Sequence, residues 1–243
     1  MRAHAYPGFS RSVEVVPPPS HAVRGFGRWV AESLTPTSEV LNIGAGRNLS
    51  GALGPVRRKA GRIVGVDPDE SIWSNGHLDE RHQATLEEFA LDHAGEFDVA
   101  LAVYVLEHVA DPQAFTAACA RTLRPGGLFF ALTVHKYQYF GLTTWATTRL
   151  HINDWLLSRL KPEDVVADYH FPTEYRMNSP AQCSRHLRQN GFRAAEFRMY
   201  DKQDLYAWYL PDALKPLAPA WSTLAYKLNS PWLMGTLSFR ATL

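Results

Sequence analysis

Hydrophobic and polar positions along the chain fall into blocks that predict a repeating strand-then-helix rhythm. Val40, Leu41 and Ile43 suit a buried central strand, and that run breaks directly into a turn carrying Gly44 and Gly46. A second apolar run, Arg62-Ile-Val-Gly-Val66, closes on Asp67; Phe97–Val103, Leu128–Val134 and Arg193–Met199 predict further strands. Helices are predicted at His21–Leu34, Leu49–Arg58 and Ala181–Gln189. A further helix starts at Asp111-Pro112, where aspartate caps free N–H groups and proline fits the first turn, and stops at Arg124-Pro-Gly-Gly127. Val13–Ser20, with prolines at 17, 18 and 19, reads as an extended lead-in.

Strands joined by single-helix crossovers predict an α/β fold, a mainly parallel sheet flanked by helices on both faces. Ligands on such sheets bind at the carboxyl ends of the strands. From His135 to Tyr175 the rhythm gives way to a polar and aromatic stretch, so residues 135–178 read as an inserted substrate lid within a single domain spanning 1–243. The tail from Asp204 carries Leu205, Trp208, Leu214, Leu217, Trp221, Leu224 and Leu228, broken by three prolines. Those residues suit the covering of a sheet edge first, and a membrane surface or the second subunit of a homodimer after that.

Composition changes this picture little. With 46% hydrophobic residues the chain can build a sizeable core, and 25 basic against 24 acidic residues give no strong attraction to polyphosphate, so nucleic acid is not the expected partner. Cys119 and Cys183 stand alone on helical segments, which predicts neither a disulfide framework nor a metal site. No 18-residue apolar run and no secretory-type leader is visible, so the expectation is a cytoplasmic protein without an integral membrane segment.

The chemistry starts at the Gly44–Gly46 turn, where the backbone can approach a ligand without Cβ clashes. Asp67 stands 23 residues after Gly44 at the end of the second run, where a carboxylate can accept from both hydroxyls of a ribose. A nicotinamide dinucleotide and S-adenosylmethionine both meet that requirement. The dinucleotide fingerprint needs a third glycine where this chain has Leu49, so a hydride-transferring oxidoreductase is the weaker fit.

Val105-Leu-Glu-His-Val109 with Asp111-Pro112, then Leu123-Arg-Pro-Gly-Gly127, resemble in order and spacing the motif series of class I S-adenosylmethionine-dependent methyltransferases. Asn42–Asn48 and Val64-Gly-Val-Asp-Pro68 complete that series over residues 38 to 134, and Phe171–Asn178 resembles a bacterial small-molecule subgroup. The resemblance implies a Rossmann-like, seven-stranded, mainly parallel sheet with the lid inserted after the fifth strand. It implies S-adenosyl-L-methionine as cofactor, with Gly44, Ala45 and Gly46 along its methionine and ribose portion and Asn42 near the amino-acid moiety. Asp67 would then hold the ribose hydroxyls; Pro68, Ile72 or Trp73 would flank adenine; Gln83 and Ala84 would read its edge; Tyr104 would approach sulfonium and acceptor. The chain departs from the family pattern at Asn42, usually acidic, at Asn48, often glycine, and at Gln83, usually aspartate. The first two departures motivate a rival reading, a binding or scaffold protein that keeps the fold without methyl transfer.

Methyl transfer from a sulfonium asks the protein mainly for alignment and exclusion of water; a base is needed only where the acceptor loses a proton. Histidine suits that task near neutral pH, and His108, His135, His151 and His170 are the candidates. His135 has the best position, directly after a strand's carboxyl end. The aromatic residues after it, among them Tyr137, Tyr139 and Trp145, suit a small, partly apolar or aromatic metabolite, with Tyr175 and Arg176 as polar contacts. The available histidines favour oxygen as the methylated atom.

Overall fold

The computed structural model describes residues 9–17, 22–48, 51–137, 172–201 and 215–243. In chain order the elements are β1 (Ser10–Val15), α1 (Ala22–Glu32), β2 (Glu39–Ile43), α2 (Leu53–Arg57), β3 (Arg62–Asp67), β4 (Glu80–Gln83), α3 (Leu86–Phe89) and β5 (Phe97–Val103). They continue with α4 (Pro112–Thr122), β6 (Leu123–Val134), α5 (Pro180–Gln189), β7 (Ala194–Tyr200), α6 (Leu217–Lys227) and β8 (Thr236–Thr242). One eight-stranded sheet has the order β1-β7-β8-β6-β5-β2-β3-β4; all neighbours are parallel except the two pairings of β8.

Eight strands rather than seven is a correction, and the additional one is β1. Only Val13 and Val15 of its six residues are apolar, because it pairs parallel to β7 at the sheet's edge and stays largely exposed. Pro17 stands just past the end of that pairing.

The local signals act as physics requires. Asp111 caps α4 by accepting from the N–H groups of Gln113 and Ala114, with Pro112 in the first turn, and Ser179 with Pro180 repeats the device at α5. Thr85 and Glu88 close a capping box on α3. Alternate residues of each central strand feed two cores. Leu41, Ile43, Val64, Val66, Phe129 and Ala131 pack on one face; Val40, Ile63, Leu101, Phe130 and Leu132 meet Phe26, Trp29 and Val30 of α1 on the other.

The tail differs from its expected use. In α6 the small residues Ala218, Ser222 and Ala225 face the fold, whereas Leu217, Leu224 and Leu228 are exposed. The close approach that alanine and serine permit docks this helix, and no leucine of that stripe covers a sheet edge. The chain then turns at 231–233 and inserts β8 between β6 and β7, with Leu237, Phe239 and Ala241 fully buried. Leu205, Trp208 and Leu214 lie outside the described residues.

Candidate functional site at the carboxyl ends of β2, β3, β5 and β6

Four neighbouring parallel strands end on one side of the sheet, and the turn after β2 is the centre of the site. Gly44 has φ +63°, its N–H donates to the Val66 carbonyl at 2.9 Å, and a Cβ placed on it would lie 2.2 Å from Cγ2 of Val105. Only glycine fits there. Asn48 also takes a positive φ, 58°, a region asparagine tolerates better than most residues. Asn75, almost fully buried on the far side, fixes the loop by donating Nδ2–H to the Ala45 carbonyl at 2.9 Å.

Asp67 ends β3 against this loop. Its Oδ2 accepts the N–H of Gly46 at 2.9 Å and its Oδ1 accepts the N–H of Asp69 at 2.8 Å. Burial pushes its carboxyl above the usual carboxylate range while those two backbone donors pull it down. Each oxygen retains a lone pair for a further donor.

Asn42, Gly44, Ala45 and Gly46 line a cavity of about 210 Å³ together with Tyr104 and Val103 at the end of β5; Leu53, Arg47 and Asn48 complete it. Asn42 is 4% exposed and supplies this cavity with an amide where the family pattern has a carboxylate. Tyr104 holds φ +58°, which is rare for a bulky side chain; its N–H donates to the Leu132 carbonyl at 2.7 Å, and burial raises its phenol.

Six residues beyond Asp67, Trp73 is 59% exposed and its indole N–H donates to Oε1 of Gln83 at 3.1 Å. Ile72 has no exposed surface and packs in the core beneath, so among the residues expected to flank a planar base Trp73 and Pro68 are the exposed ones. The Ala84 N–H is bonded to the Asp67 carbonyl at 3.1 Å, which fixes the β4 end beside the carboxylate. A glycine turn that no Cβ could share, a buried carboxylate with lone pairs left, and an exposed indole tied to an amide fit an adenosyl group carrying an amino-acid chain.

His135 follows β6 and is 1% exposed. Its Nδ1 lies 2.9 Å from the Met234 carbonyl; that oxygen can only accept, so the proton is on Nδ1. Burial lowers the imidazole's pKa, which keeps the ring neutral and leaves Nε2 with a lone pair; among the described residues that atom has no hydrogen-bond partner. Tyr137 packs edge-on against the ring at 5.6 Å and meets Trp232 at 5.3 Å. His135 does not line the cavity; it stands at the end of the strand next to Tyr104's.

The segment returning at 172–178 is sewn onto this strand end. The N–H groups of Glu174 and Tyr175 donate to the Glu107 carbonyl at 2.7 and 3.2 Å, and the Lys136 N–H donates to the Asn178 carbonyl at 2.9 Å. His108 Nδ1 donates to the Pro172 carbonyl at 3.0 Å, an anchoring use of that side chain. Arg176 gives Nη1–H to the Ala110 carbonyl at 2.7 Å and pairs with Glu174 at 3.0 Å, which holds its guanidinium at the turn. Tyr175 has φ +51° and is 6% exposed, so it packs inward. Tyr139, Trp145, His151, His170 and Leu49 lie outside the described residues, as does most of the expected lid.

Sequence reading missed a buried polar chain beneath His135. Asn178 Nδ2 donates to Thr133 Oγ1 and to the Val134 carbonyl at 2.7 and 3.0 Å, and Thr133 Oγ1 donates to Glu107 Oε2 at 2.7 Å. The signal was present: Thr133 interrupts an apolar run, and Glu107 directly follows the apolar pair Val105-Leu106 of its own motif. Full burial raises the Glu107 carboxyl above its ordinary range.

Residues 41–131 match the family described as methyltransferase domain. The described residues share their fold with solved S-adenosylmethionine-dependent methyltransferases. A S-adenosylmethionine-dependent methyltransferase from Archaeoglobus fulgidus superimposes with a TM-score of 0.59 over 91% of this chain and 93% of that one, at 14% identity. Two relatives in sequence are called ubiquinone biosynthesis O-methyltransferase. That of Aromatoleum aromaticum is 39% identical over 65% of this chain and 64% of its own length, and that of Rhizobium rhizogenes is 36% identical over 48% and 49%. The chain thus spans less than two thirds of either relative. Among the described residues no helix is long and apolar enough to cross a membrane, and no cluster of side chains could hold a metal ion.

Proposed function

We propose that the protein transfers a methyl group from S-adenosylmethionine to a hydroxyl oxygen of a small, partly apolar or aromatic metabolite. The observation that carries this reading is the Gly44–Gly46 turn closed onto Asp67, opening into a cavity that ends at Tyr104. The cofactor brings a methyl carbon activated by a sulfonium sulfur, whose departure leaves a neutral thioether. The protein's share is placement and the removal of one proton.

In this reading Asp67 receives the ribose hydroxyls, Gly44, Ala45 and Gly46 face the sugar and methionine chain, and Asn42 meets the amino-acid end. Trp73, Pro68 and Gln83 take the base. Tyr104 closes the cavity at the strand end nearest His135. His135 Nε2 receives the acceptor's proton as its oxygen forms the new bond to carbon, because Met234 fixes the tautomer that leaves this nitrogen free to accept. The lid is assigned to 135–178, near whose described ends the Lys136 N–H donates to the Asn178 carbonyl. The names of the relatives support oxygen as the methylated atom.

The test is incubation of a bacterial metabolite extract with the protein and methyl-labelled cofactor, followed by mass spectrometry. A hydroxylated metabolite gaining one labelled methyl is expected. Cofactor binding by calorimetry without any labelled product would favour the scaffold reading instead.

A further inference from the structure

Among the described residues, the wall of the cavity after β2 holds one cation and no carboxylate. Arg47 is its charged side chain, Asn42, Asn48 and Tyr104 are neutral and polar, and the others are apolar or glycine. Asp67 stands outside that wall, with one oxygen on the Gly46 N–H and the other on the Asp69 N–H. Burial pushes the Tyr104 phenol up, so it adds no negative charge.

Asn42 is the one polar residue in the buried run Val40–Ile43. It pairs with Gly65 of β3 and Leu101 of β5, and by strand alternation it shares a face with Val40 rather than with Leu41 and Ile43. It is 4% exposed, it lines the cavity, and its amide makes no hydrogen bond among the described residues. An amide buried without a partner is costly unless a ligand meets it, so this one belongs to the ligand's surroundings rather than to the core. Arg47 is exposed, and its guanidinium has neither an ion-pair nor a hydrogen-bond partner among the described residues.

The two forms of the cofactor carry the same ammonium and carboxylate and differ at sulfur. The methyl donor has a cationic sulfonium; the spent form has a neutral thioether. In a cavity of about 210 Å³ a wall charge acts at the short range where an opposite charge changes the preference between charged and neutral forms tenfold or more. An acid at position 42, as in the family pattern, would supply that attraction. This chain replaces it with an amide and adds a cation.

Resting on the methyl-transfer reading above, we propose that Asn42 and Arg47 are specificity-determining residues for charge at the sulfur position, making the cavity favour the neutral thioether over the sulfonium. Asn42 contributes the larger share because it is buried. Arg47 contributes less because water and salt screen it. Turnover is then unusually sensitive to the ratio of spent to fresh cofactor.

The experiment is calorimetric titration of the full chain, at about pH 8, with S-adenosylmethionine, S-adenosylhomocysteine and sinefungin, in which an amine-bearing carbon replaces the sulfonium and keeps a positive charge. Wild type should bind the thioether at least about tenfold tighter than either cationic ligand. Asn42→Asp should shift that ratio toward the cations by about tenfold. Arg47→Gln should shift it the same way by about twofold, and only at low salt. A merely structural role for Asn42 would weaken all three ligands alike and leave the ratio where it was. Equal binding of the neutral and cationic ligands to wild type, or a ratio unmoved by Asn42→Asp, overturns the proposal. Because the wild-type ratio is decisive by itself, misfolding of Asn42→Asp does not rescue it. Binding of none of the three ligands would instead sink the methyl-transfer reading.

Discussion

The Asp67 carboxylate accepts the Gly46 N–H at 2.9 Å, so the residue expected to hold a ribose also holds the turn against which that ribose would lie. Asp67→Asn replaces one accepting oxygen by a donor that must face either Gly46 or Asp69, both donors themselves. A charge-assisted bond of this kind contributes about 1.5–3 kcal/mol, so affinity for S-adenosylhomocysteine should fall at least about tenfold. Calorimetry reads the loss, with circular dichroism showing that the fold persists; unchanged affinity would remove Asp67 from the cofactor site.

Gly44 and Val105 form the tightest contact of the site. Gly44→Ala adds a Cβ 2.2 Å from Val105 Cγ2 at a φ of +63°. Left-handed strain of about 1–2 kcal/mol and overpacking of about 1–3 kcal/mol add to a loss of roughly 2–5 kcal/mol. Adding Val105→Ala to that variant should return the overpacking share only. Urea unfolding of the four-member cycle checks this, and strict additivity of the two substitutions would contradict the contact.

Glu107 is a buried carboxyl raised above its unfolded value. The folded state therefore keeps a proton that the unfolded chain releases above about pH 4.5, and stability contributed by this group falls as pH rises through that window. Glu107→Gln removes the slope. The melting temperature of the variant relative to wild type should rise steadily from pH 4 toward neutrality, and a constant difference would show that Glu107 ionises in the folded protein as it does unfolded.

The fold and the places of the glycine turn and Asp67 within it were legible because both are local. Val40–Gly46, Asp67 and the Asp111-Pro112 cap carry their meaning in consecutive residues, and the sheet follows from their alternation. The strand β1 was missed because an exposed edge strand needs no apolar run, and the outward leucines of α6 because period alone does not say which stripe docks. Asn178, Thr133 and Glu107 were illegible for another reason: their partners are 26 to 45 residues apart in sequence, and only the pairing of strand ends brings them together. The same holds for Met234 and His135, separated by 99 residues.

That last pair sets a pH dependence of the opposite sign to that of Glu107. Burial lowers the His135 pKa below its unfolded value near 6.5, so between the folded and unfolded values the unfolded chain binds the extra proton. Stability from this group is complete above about pH 6.5 and is lost as pH falls through and below it. His135→Phe keeps an aromatic ring against Tyr137 and removes the titration, and its missing donor leaves the Met234 carbonyl without its partner, a loss of about 1–3 kcal/mol at neutral pH. Between pH 7 and 5 the wild type should therefore lose stability faster than the variant, so that the gap between their unfolding free energies narrows as pH falls. Under the proposed mechanism the variant also loses the alkaline-independent part of its turnover, because Nε2 no longer receives the acceptor's proton and only acceptors already ionised in solution can react. A His135→Phe protein whose rate against pH retraces the wild-type curve would show that the proton goes elsewhere.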